Sequence, residues 1–158
     1  MSVPARGDTA PDFEALLSDG ETFRGRRFSD VLAPEGGVLV FSGFAFSAVA
    51  ENWWKRYDRA DWDEFDVPVV GVTREGPYAQ NEFLRQLDSP FDFFADVDGE
   101  VADAYGVLTE RAGMAGTRTA NRAVFVLDGD RTVQYRWLAE NWTQPPPREE
   151  VEEAVAAL

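Results

Sequence analysis

Few side chains in this chain are equipped for covalent or acid–base chemistry. None of its 158 residues is cysteine and none is histidine. Ser42 and Ser47 supply hydroxyls, Lys55 the only side-chain amine, Met114 a thioether, and Arg122 a guanidinium just ahead of an apolar run. Disulfides, thiolate catalysis, Cys/His zinc sites and Ser-His-Asp triads are therefore excluded. A serine hydroxyl with no base beside it stays protonated, and oxidation of Met114 is stoichiometric with no return path. Asp96-x-Asp98-Gly99 has the opening of a calcium loop, but the further EF-hand ligands do not follow, so it reads as a turn. No Walker loop, G-x-G-x-x-G or G-x-S-x-G occurs. Neither a metal site nor a cofactor is expected.

The stretch VLVFSGFAFSAVAENWWKRYDR, residues 38–59, positions these groups. Its first four residues form a short, β-branched apolar run that predicts a buried strand. Ser42-Gly43 breaks the run, and Phe46, Val49, Ala50, Trp53, Trp54 and Tyr57 then follow a helical period. Ser47 stands where an N-cap hydroxyl accepts from a first-turn amide. A strand, a sharp turn and a helix N-terminus bring free amides and a positive dipole end to one place.

Composition narrows the partners. The net charge is −14, from 15 basic and 29 acidic residues, with a sequence pI near 4.3. The acid is spread from Asp8 to Glu153 and reads as a solvating surface of the kind suited to a high-salt cytoplasm. Nucleic acid is disfavoured, because phosphate binding needs basic surface. No run approaches the roughly 18 apolar residues of a membrane span, and the N-terminus lacks an apolar leader. A soluble, cytoplasmic chain and a single domain over 1–158 are expected; 44% hydrophobic content argues against disorder.

Elsewhere, turn signals at 18–21 lead into a short strand near 22–24, and 26–37 reads as loop with one helical turn at most. Residues 67–72 predict a second buried strand. Residues 77–87 predict a helix opened by Pro77, with Tyr78, Phe83, Leu84 and Leu87 as its apolar stripe. A short apolar segment, 91–94, runs into the 96–99 turn and a brief helix carrying Val101, Ala102 and Tyr105. Residues 108–121 read as a looser, Gly- and Thr-rich stretch. Two strands, 123–127 and 132–137, flank Asp128-Gly129-Asp130 as a hairpin, with Val133, Tyr135 and Trp137 on one face of the second. A final helix turns Val151, Val155 and Leu158 inward. Strands alternating with helices, then a hairpin and a closing helix, predict a three-layer α/β/α sandwich with a mixed central sheet.

That order matches a thioredoxin-like fold, and GFAFSAVA at 43–50 resembles the active-site loop of the peroxiredoxin (thiol-specific antioxidant, redoxin) family. In that loop a proline, a Thr or Ser four positions on, and a cysteine three further open the helix. Here Gly43 takes the proline position, Ser47 the hydroxyl position and Ala50 the position of the peroxide-attacking cysteine. Arg122 matches the active-site arginine. GDTAPDF at 7–13, DVDGEVADAYGV at 96–107 and NRAVFVLDGD at 121–130 extend the resemblance over almost the whole chain. The family reaction is attack of a thiolate on a peroxide oxygen, and alanine has no nucleophile to offer.

Three readings follow. In the first, a cysteine-less peroxiredoxin-like domain keeps part of the pocket and binds a small oxygenated or anionic ligand, or a partner, at Ser47 and Arg122. In the second, the chain is an antioxidant oxidoreductase in which Ala50 replaces an original catalytic cysteine. In the third it is an interaction module, a homodimer as the resemblance implies for many members, with Trp137 and Trp142 marking an exposed apolar patch. Each site residue also has a plainer role. Ser47 can be a cap alone, Arg122 a partner for a carboxylate, and Phe44, Phe46, Trp53 and Trp54 core.

Overall fold

The computed structural model describes residues 2–141 and 143–158. Its centre is a seven-stranded mixed sheet. The strands are β1 (Glu14–Ser18), β2 (Phe23–Arg27), β3 (Gly36–Phe41), β4 (Val69–Thr73), β5 (Asp92–Ala95), β8 (Ala123–Asp128) and β9 (Val133–Leu138), in the order β2-β1-β5-β4-β3-β8-β9. β4 runs parallel to both β3 and β5, and the remaining pairings are antiparallel. β3 and β4 are buried at every position, as central strands covered on both faces must be.

Helices α2 (Ala48–Arg59), α3 (Pro77–Leu87) and α5 (Arg148–Ala156) cover one face. There Trp53, Trp54, Phe83 and Val151 meet Val38, Val40, Phe93, Val124 and Val126. Helices α1 (Phe28–Val31) and α4 (Glu100–Ala104) lie on the other, where Phe28, Val101 and Tyr105 pack on Leu39, Phe41, Phe94 and Phe125. The result is the three-layer thioredoxin-type sandwich that the alternation of elements predicts. Gly71 in β4 is required by close approach. A Cβ there would stand 2.6 Å from the Phe93 ring and 2.7 Å from Trp54.

The structure departs from the sequence reading in several places. The short strand near 22–24 is the second half of a hairpin whose first half, β1, has only Leu17 and Ser18 buried and so shows little apolar pattern. Residues 108–121 are not loose. They form a separate two-stranded ladder, β6 (Leu108–Arg111) with β7 (Thr117–Ala120). Tyr78 is no part of the α3 core stripe; it is 79% exposed and lies edge-on to Phe23. In β9 a bulge opposite Val126/Leu127 breaks the alternation. Val133 therefore joins the α4 side of the core while Tyr135 and Trp137 pack on the α2 side. Val155 and Leu158 are only half-buried, and Trp142 lies outside the described residues.

Candidate functional site

Buried β3 delivers the chain to Ser42 and Gly43, and three anchors hold the following turn. Gly43 O accepts from Arg74 N at 3.1 Å. The Glu75 carboxylate accepts from Ala45 N at 2.6 Å and from Phe46 N at 3.4 Å through Oε2. Ser42 Oγ accepts from the indole Nε1 of Trp54 at 3.2 Å, which ties the turn to the body of α2. Ser47 is the N-cap of α2: its Oγ accepts from Ala50 N at 3.1 Å and donates to Phe44 O at 3.0 Å. By position, the amides of Ala48 and Val49 have no intrahelical acceptor.

A cavity of about 330 Å³ opens at this helix start. Gly43, Ser47, Ala50 and Arg122 all line it, so residues far apart in sequence meet around one space that solvent reaches. Arg111, Thr119 and Met114 complete the wall from the β6–β7 ladder and its connection. Glu140, exposed, is the one carboxylate among these lining residues. Ala50 is buried, at 3% exposure, and as an alanine it presents a methyl group to the cavity it lines.

Among the described residues Arg122 pairs with no carboxylate. Its Nη2 donates to Asn141 O at 3.3 Å and to Gln144 O, and its guanidinium carbon lies 5.3 Å from the Trp53 ring centroid and 5.6 Å from that of Trp137. Nη1 is buried with no partner among the described residues. Burial lowers the pKa of this guanidinium from its ordinary value, against an opposing effect of the Tyr57 hydroxyl. In a chain with 29 carboxylates, a half-buried cation held, among the described residues, by carbonyls and rings retains capacity for an anion.

Other sequence candidates resolve into structural roles. Lys55 pairs with Glu51 at 2.9 Å on the surface. Asp96 caps α4, accepting from Val101 N and Ala102 N at 2.9 Å each, as a turn rather than a calcium loop would have it. Among the described residues no group of acidic side chains could hold a metal ion. Trp53 and Trp54 are core, whereas Phe46 is 46% exposed and lies edge-on to Phe83.

Two contributors escape the sequence reading. Arg111 donates from Nε to Thr119 Oγ1 at 2.9 Å and from Nη2 to Ala120 O at 3.2 Å, which places a second guanidinium at the cavity, its pKa lowered by burial. Glu75 shapes the turn from a different strand–helix connection. The signal for Arg111 was present in LTER and TRTA, two alternating segments around Gly113 and Gly116 that can be read as a small hairpin.

Known proteins resemble this chain over most of its length. A peroxiredoxin of Thermoplasma volcanium is 27% identical over 142 residues, covering 84% of this chain and 63% of its own length. This chain thus spans less than two thirds of that relative. Alkyl hydroperoxide reductase E of Mycobacterium bovis is 27% identical over 135 residues, covering 82% of each chain. Among solved structures, peroxidoxin BcpB from Mycobacterium tuberculosis superposes with a TM-score of 0.75 at 25% identity, covering 97% of this chain and 95% of that one. Among the described residues no helix is long and apolar enough to cross a membrane. Residues 6–136, which carry β1 to β9 almost entire and the whole start of α2, match the AhpC/TSA family model, and the chain belongs to that peroxiredoxin family.

Proposed function

We propose that this chain is a peroxiredoxin-type domain without thiol peroxidase activity, and that it binds a small oxygenated or anionic ligand at the start of α2. The observation that carries this reading is the unpartnered Nη1 of Arg122 on a residue that lines the same cavity as Ser47 and Ala50. First-turn amides, the helix dipole and two guanidinium groups favour negative charge there. With a methyl group at Ala50 no bond to oxygen can form, so the interaction ends at binding.

Trp53 makes the proposal measurable, because its ring lies against Arg122. Titration with acetate, and separately with tert-butyl hydroperoxide, is expected to give a saturable change in tryptophan fluorescence. Arg122→Ala should weaken that binding at least roughly tenfold, the scale of one lost charge-assisted hydrogen bond. A flat titration, or one equally strong in Arg122→Ala, would contradict the proposal.

A further inference from the structure

A second cavity, also about 330 Å³, lies between α2 and the proline-rich segment ahead of α5. Three aromatic side chains, Trp53, Tyr57 and Trp62, contribute to its wall, with Tyr57 and Trp62 stacked at 4.5 Å and only 3° from parallel. Three cations, Arg56, Arg59 and Arg148, also line it. The stiff backbone of Pro145 and Pro146 supplies the opposite side, so the space is formed before any ligand arrives.

The cations here are largely uncommitted. The Arg56 guanidinium lies 4.6 Å from the Trp53 ring centroid, and among the described residues neither it nor the Arg59 guanidinium makes a hydrogen bond or ion pair. Asp58 feels the charge of Arg59 without pairing with it. Arg148 uses Nε on Glu152 Oε2 at 2.9 Å, and the same carboxylate oxygen accepts from Trp62 Nε1 at 3.2 Å. Trp53 adds a buried indole Nε1–H that has no acceptor among the described residues. A surface that is acidic for solvation has no need of three arginines around one aromatic hollow, and the chain as a whole carries −14. Guanidinium forks match carboxylate and phosphate oxygens, while stacked rings favour a flat apolar body.

We propose that this cavity binds a small aromatic anion: one ring bearing a carboxylate or phosphate group. The ring lies among Trp53, Tyr57 and Trp62, and the acidic group meets Arg59 and Arg148. The cavity is separate from the one at Ser47 and Ala50, and the proposal stands whether or not that one is a ligand site.

The test is calorimetric titration of the intact chain at low salt with phenyl phosphate and with benzoate, beside inorganic phosphate and benzyl alcohol as anion-only and ring-only probes. Both aryl anions are expected to saturate one site, with the two controls at least tenfold weaker. The Arg59→Gln/Arg148→Gln double variant should lose at least tenfold in affinity, and Lys55→Gln, which removes a surface cation of α2 that lines neither cavity, should stay within twofold of the parent. Both substituted arginines are exposed, and Arg59→Glu alone, which leaves the Arg148–Glu152–Trp62 contacts in place, gives an independent reading with the same expected loss. The proposal is overturned by absent saturation in the parent, by inorganic phosphate binding as tightly as phenyl phosphate, or by unchanged affinity in the arginine variants. A loss in Lys55→Gln as large as that in the double variant overturns it too, because the effect would then be one of overall charge rather than of this cavity.

Discussion

Ala50→Cys is expected to give this chain a reactive thiolate and, with a dithiol reductant, catalytic consumption of hydroperoxide. The side chain at this position faces the cavity shared with Ser47 and Arg122, and its own amide is held by the Ser47 hydroxyl at 3.1 Å. It sits in the first turn of α2, where the dipole and the cations Arg122 and Arg111 stabilise a sulfur anion. A free thiol titrates near 8.5, and helix N-termini with neighbouring guanidinium groups draw it down to roughly 3.5–7.5. The thiolate absorbance of Ala50→Cys should therefore titrate below that free value, and its alkylation near neutral pH should be about tenfold faster than that of an exposed cysteine. Adding Arg122→Ala should return the titration toward the free value. A thiol that titrates at or above 8.5 would show that the cavity has not kept the electrostatics of a thiolate site.

Trp54→Ala is expected to remove about 3–5 kcal/mol of stability, the range for deleting a buried aromatic side chain. Against a total of roughly 5–15 kcal/mol, that brings the fold to its margin. Trp54 is 1% exposed, its ring centroid lies 4.6 Å from that of Phe93 and 5.1 Å from that of Tyr57, and it fills the space that Gly71 leaves open in β4. Its Nε1 also binds Ser42, so the same residue docks α2 on the sheet and fixes the turn ahead of Ser47. Trp54→Phe keeps most of the ring and loses the hydrogen bond, for a smaller loss of about 1–2 kcal/mol. Urea denaturation of the two variants measures both. A loss below about 1 kcal/mol in Trp54→Ala would mean that α2 is held by something other than this contact.

The start of α2 is legible in the sequence because local rules coincide there. A β-branched run, a Ser-Gly break, a capping serine and a helical apolar period each point to the same geometry, and the structure has all four between Gly36 and Arg59. The position of Arg122 just ahead of a wholly apolar strand is equally local, since β8 must lie beside β3 to bury both. What sequence reading loses depends on contacts across the sheet. β1 is a strand because β5 and β2 pair with it, not because its own residues alternate. The bulge in β9 moves Val133 to the opposite face from Tyr135, which a period of two cannot foresee. Glu75 reaches the 43–47 turn from a connection some thirty residues away, and no spacing along the chain announces that hydrogen bond. Arg122 looks like a partner for one of many carboxylates until the carbonyls of Asn141 and Gln144 are seen around it.

Hydroperoxide consumption by the unaltered chain, followed with and without a dithiol reductant, tests the central claim most directly. With alanine at position 50, peroxide should disappear no faster than in buffer under either condition. Repeated, reductant-dependent turnover by the unaltered protein would contradict the account.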